Sequence, residues 1–181
     1  MTELYNTSRI DFKKIRESIN ANTETIKNTS SELGRYLMVD EKLKLGILPE
    51  FHDRARQIQE EIANLRNQNA EALEYMNFVS DLLPKFGIEI SKAPVWINGQ
   101  FVEMPIYADL EILTRRVNTE YSTSVSKLKK DFANHMMLAA DFERSKETAT
   151  EEWARQLSKL TEVEQKLKDY INKNINIKVR A

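Results

Sequence analysis

The sequence predicts an all-α protein with a small β element, built as antiparallel helical arms joined by a β-hairpin region. Three observations carry this. All four glycines (34, 46, 87, 99) and all four prolines (49, 84, 94, 105) lie before residue 106, so the last 76 residues contain neither of the strongest breakers of regular structure. Apolar residues recur at helical spacing on both sides of residues 84–107. Between those segments stands "PVWINGQFVEMP" (94–105), an alternating pattern centred on Asn-Gly, the strongest short signal for a two-residue hairpin turn.

The N-terminal arm spans 1–83. Phe12, Ile19, Ile26 and Leu33 recur every seven residues, with Ile15, Asn22, Thr29 and Tyr36 three positions after each, which is a heptad seam with polar rungs. Gly34, Gly46 and Pro49 predict a break near 38–49. Beyond it, Ala55, Ile62, Asn69, Met76 and Leu83 form one row, and Phe51, Ile58, Leu65, Ala72 and Val79 the other. Such seams need partners. Ile58, Ile62, Leu65, Asn69 and Met76 are therefore expected to line an oligomerisation seam, most simply in a two-fold dimer. Asn69 is either the buried polar residue that sets register or a boundary position facing water. On the buried reading, Asn69→Leu should raise stability and broaden the oligomer distribution.

The C-terminal arm spans 108–173. Leu110, Leu113, Val117, Tyr121, Val125, Leu128, Phe132, Met136 and Ala139 recur near the helical period, and "MMLAADF" (136–142) is apolar nearly all round, so it should be enclosed by several helices. The polar stretch "ERSKETATEE" (143–152) is an exposed helix or a turn, and Thr148 with Glu151 would form a capping box if a new helix began there. A seam resumes at Trp153, Leu157, Leu160, Val163, Leu167 and Tyr170.

Two arrangements satisfy this pattern. In the slightly favoured one, each arm is a continuous helix of roughly 100 Å, and residues whose numbers sum to about 190 lie side by side. In the other, both arms bend into a compact four-helix bundle. Short strands are expected at "KFGIEI" (85–90) and in the basic tail 174–181, which contains "NINIKVR"; they would complete a small sheet with the hairpin within a single structural domain. A helical hairpin with β structure at its turn resembles the general plan of prefoldin-like coiled-coil chaperones.

Within the connector, the Asn98-Gly99 turn predicts Ile97 opposite Gln100, Trp96 opposite Phe101 and Val95 opposite Val102. Both faces are then apolar. Trp96, Ile97, Phe101 and Val102 form the candidate partner-binding site, the alternative being burial of both faces in the protein's own end cap.

Little catalytic chemistry is available. With no cysteine there are no disulfides, thiolate nucleophiles or cysteine-based metal sites. The nearest glycines are 12 residues apart, too far for a phosphate-cradling loop. His52 beside Asp53 reads as a solvated first helical turn rather than a metal pair, and His135 as a partly buried side chain bonded to Asp131. No cofactor, metal or catalytic residue is assigned. The net charge of -1 hides no strongly basic arm, although residues 169–181 lean basic, and Arg115, Arg116, Lys178 and Arg180 are candidate anion contacts. No apolar run approaches the ~20 residues of a membrane span, and no signal sequence is evident, which points to the cytoplasm. Abundant Asn, Lys and Ile suggest an AT-rich genome, such as that of a low-GC bacterium, a phage or a parasite. The expected function is non-enzymatic: a self-associating scaffold, adaptor or chaperone-like protein that binds a protein partner through its hairpin. The alternative is a nucleic-acid-associated protein using the tail with Arg115 and Arg116.

Overall fold

The computed structural model describes the backbone of residues 4–43 and 49–175 and the side chains of 4–36 and 51–175. In chain order the elements are β1 (Arg9–Asp11), α1 (Phe12–Leu43), α2 (Pro49–Lys85), β2 (Ser91–Ile97), β3 (Gln100–Asp109), α3 (Leu110–Ala133) and α4 (Ala139–Asn174). Among the described residues the protein is thus all-α with a small β element, comprising four helices and one antiparallel sheet of order β1-β3-β2. The chain divides into two compact units, residues 12–78 and residues 1–11 with 79–181, so the boundary falls inside α2.

In the unit 12–78, α1 and α2 form an antiparallel hairpin whose contacts follow the predicted seams. Phe12, Ile15, Ala55, Ile58, Ile62 and Ala72 of these rows are buried, and so is Tyr75, which lies outside them. The polar rungs meet each other. Asn22 Nδ2 donates to Asn69 Oδ1 at 3.0 Å, and Asn69 Nδ2 donates to Thr23 Oγ1 at 3.3 Å. Toward the C-terminal end of α1, Tyr36 stacks on Phe51 with centroids 5.1 Å apart, and Arg54 holds Glu32 through two bonds of 3.1 Å. Those bonds, reinforced by the Tyr36 hydroxyl, keep the Glu32 carboxyl below its usual range. Gly34 does not break α1, which continues to Leu43. Residues 44–48, the rest of the expected break, lie outside the described residues.

Part of the seam assigned to a second chain is covered from within. Ile58 and Ile62 are buried, and Leu65, Asn69 and Met76 are half-buried, in the single chain. The expected effect of Asn69→Leu changes sign. Leucine would leave the Asn22 amide without its partner at a half-buried position, so the single variant should lose about 1 kcal/mol, and Asn22→Leu with Asn69→Leu should recover it. Urea unfolding of the three variants measures this.

In the other unit, α3 and α4 form a second antiparallel hairpin. Tyr121 stacks on Trp153 at 4.6 Å, Trp153 Nε1 donates to Asn118 Oδ1 at 2.9 Å, and Phe132 stacks on Phe142 at 4.9 Å. The continuous-arm arrangement fails here, because α3 stops at Ala133 and the chain reverses over 134–138, well before 143–152. The polar stretch 143–152 lies inside α4, with Ala149 and Thr150 half-buried and Thr150 Oγ1 3.0 Å from the Tyr121 hydroxyl. Thr148 is no cap; its hydroxyl donates to the Arg144 carbonyl in mid-helix at 3.0 Å.

The stop is a Schellman motif. His135 N–H donates to the Phe132 carbonyl at 3.1 Å and Met136 N–H to the Asp131 carbonyl at 2.9 Å, with His135 at φ 56° in the left-handed position usually given to glycine. His135 is exposed, and no side-chain bond joins it to Asp131, contrary to the sequence expectation. Because a β-carbon costs about 1 kcal/mol at such a φ, His135→Gly should raise the melting temperature by roughly 2–4 °C, readable by calorimetry. The α2 terminus repeats the motif with Gly87 at φ 70°, Gly87 N–H donating to the Pro84 carbonyl and Ile88 N–H to the Leu83 carbonyl, each at 3.0 Å. Helix thus extends past Pro84 to Lys85, and residues 86–90 form a turn and a non-strand link instead of the expected strand. The third strand is Arg9–Asp11, paired with Tyr107–Asp109. The tail, from 176 onward, lies outside the described residues.

Candidate protein-interaction site

The hairpin β2–β3 is built as its turn chemistry demands. Asn98 and Gly99 both take positive φ, 50° and 78°, as a type I′ turn requires. The register is Ile97↔Gln100, Trp96↔Phe101 and Val95↔Val102. Toward the base the pairing shifts between Ser91 and Lys92, whose partners are Tyr107 and Pro105, a bulge that re-aims the strands.

The base is tied to the rest of its unit. Ile10 and Ala108, which face each other across β1 and β3, are buried. Arg9 Nε donates to the Tyr107 hydroxyl at 2.6 Å, and that hydroxyl donates to Asp109 Oδ2 at 3.0 Å. The other Asp109 oxygen accepts from Ile112 N–H at 2.9 Å and so caps α3 directly after β3. Leu110 N–H donates to the Ser8 carbonyl at 2.8 Å, and the Ser8 hydroxyl donates to Glu164 of α4 at 3.2 Å.

The tip has no such cover. Trp96 is 61% exposed and Phe101 71%, while on the opposite face Ile97 is 39% and Val102 41% exposed. Trp96 and Phe101 pack edge to face with centroids 4.7 Å apart. No residue from 94 to 102 carries a charge, in a chain that is 30% charged. A second apolar surface was not expected from the sequence: at the α3–α4 turn Met136 is 75% and Leu138 72% exposed, with Phe132 beside them in sequence. "MMLAADF" is thus not enclosed within the described chain, apart from Phe142.

The four candidate anion contacts do not come together. Arg115 pairs with Glu111 one turn away on α3. Lys178 and Arg180 lie outside the described residues. Arg116 instead lines a groove of about 520 Å³ between residues 86–89, α3 and α4, where Arg155 and Lys159 join it. Neither basic residue of α4 was singled out from the sequence. His52 and Asp53 are exposed, Asp53 pairing with Arg56, and among the described residues no cluster of His, Asp or Glu could hold a metal ion. No described helix is long and apolar enough to cross a membrane. No family model, no curated protein and no solved structure matches this chain.

Proposed function

We propose that the protein is a non-enzymatic, cytoplasmic adaptor or assembly factor that engages a protein partner through the tip of its hairpin. The observation that carries this reading is the uncharged tip with Trp96, Ile97, Phe101 and Val102 exposed on both faces, on a hairpin whose base is tied by β1, Asp109 and α3. Exposed aromatics on a preorganised element favour binding, because little side-chain freedom is lost and apolar area leaves water when a partner covers it. Absence of charge at the tip selects an apolar complementary surface and weighs against a phosphate backbone, so protein is preferred over nucleic acid. Self-association would draw on the exposed apolar side chains of the hairpin or of the α3–α4 turn and on the half-buried rungs of the α2 seam.

Affinity capture from the native host tests this, using the wild type and Phe101→Asp as baits. The variant places a charge in the uncharged tip at an exposed position, so it should fold with an unchanged far-UV spectrum. Specific loss of a protein recovered with the wild type supports the reading, whereas identical recovery by both baits refutes it.

A further inference from the structure

The groove bounded by residues 86–89, α3 and α4 carries a separate inference, since it shares no residue with the hairpin tip. Its volume, about 520 Å³, lies in the range of small-molecule sites. Its walls are apolar where Phe86, Ile88, Leu113, Val117 and Leu160 contribute, so water held there is poorly bonded and readily displaced.

Its charges are unevenly satisfied. Arg155 is bound to Glu152 through bonds of 2.6–3.0 Å, and Gln156 Nε2 donates to the same carboxylate at 2.8 Å. Glu152 is thereby occupied and its carboxyl held below the usual range, first by Arg155 and then by Gln156. Arg116, on the facing helix, makes no hydrogen bond or ion pair with any described residue, and neither does Lys159 one turn along α4 from Arg155. Counting Arg116, Arg155 and Lys159 against Glu89 and Glu152 leaves a single positive charge in excess. One excess charge beside an apolar wall suits a ligand with one negative charge and an apolar body. A phosphate dianion or a polyanion would bring more negative charge than this single excess offsets, with Glu89 also in the lining.

We propose that this groove binds an amphipathic monocarboxylate, its carboxylate between Arg116 and Lys159 and its apolar body along Leu113, Val117 and Leu160. The guanidinium fork of Arg116 matches a carboxylate's two oxygens, and Lys159 adds a second donor. Isothermal titration of the full chain with decanoate, below its aggregation threshold, tests the proposal against decanol, which lacks the charge, and acetate, which lacks the body. Saturable one-to-one binding of decanoate is expected, at least tenfold tighter than either control. Arg116→Ala and Lys159→Ala should each weaken it roughly tenfold or more. Arg115→Ala, whose side chain is engaged by Glu111 outside the groove, should leave it unchanged, as should Trp96→Ala with Phe101→Ala. No saturable binding, equal binding of decanol, or undiminished affinity in Arg116→Ala would overturn it. Loss of binding in the hairpin variant would do the same, by moving the ligand to the tip.

Discussion

Leu167→Ala should destabilise the unit formed by residues 1–11 and 79–181 by about 2–5 kcal/mol, the usual cost of emptying a closed leucine site. Leu167 has no exposed surface, and it lies on α4 between Val163 and Ile171, which are also buried. Against a typical total of roughly 5–15 kcal/mol, the loss would be large. Leu73→Ala on α2 is the matched control: that side chain is 49% exposed, so its removal should cost within about 1 kcal/mol. Because the chain has two compact units, unfolding should be followed by hydrogen exchange as well as by denaturant, with protection falling first in α4 of the leucine variant.

Replacing Trp96 and Phe101 together should have the opposite profile, with little effect on folding and a large effect on association. The two rings lose mainly each other, an edge-to-face contact of about 0.5–1.5 kcal/mol, because most of their surface is already in water. In a complex the same rings would be central anchors, and truncating such a residue typically costs about 2 kcal/mol or more, a loss of roughly 30-fold in affinity. The single variants should each show much of this loss, since anchors that pack on one another are not additive. Thermal denaturation with binding measurements on the same samples separates the outcomes. A melting temperature lowered by many degrees in both single variants would mean that the tip is buried after all.

The hairpin turn and the three pairs next to it were legible because Asn98-Gly99 specifies a two-residue turn, whereas the bulge between Ser91 and Lys92, which shifts the register toward the base, left no such signal. The heptad rows were equally readable, but not whose partner they sought: Asn22 and Asn69 sit 47 residues apart, and only the reversal between α1 and α2 joins them. The turn at 134–138 was missed because its stop uses Asn134 and His135 instead of glycine, while the apolar "MMLAADF" continues a helical pattern across it. Chain reversal there leaves Met136 and Leu138 exposed, which periodicity alone cannot foresee. β1 is only "RID", too short for alternation to mark it as a strand. The groove draws its lining from three separate segments, so Arg116 could be suspected from sequence, but its meeting with Arg155 and Lys159 could not.

Contact between the hairpin tip and another protein can be read directly by site-specific photo-crosslinking in the native host. A benzophenone side chain would replace Phe101 in one sample and Ser158, on the exposed side of α4, in another. A tip-bound partner should give a discrete protein adduct from position 101, lost when Trp96 is also changed to Ala, and none from position 158. The same adducts from both positions, or no adduct from position 101, would contradict contact through the tip.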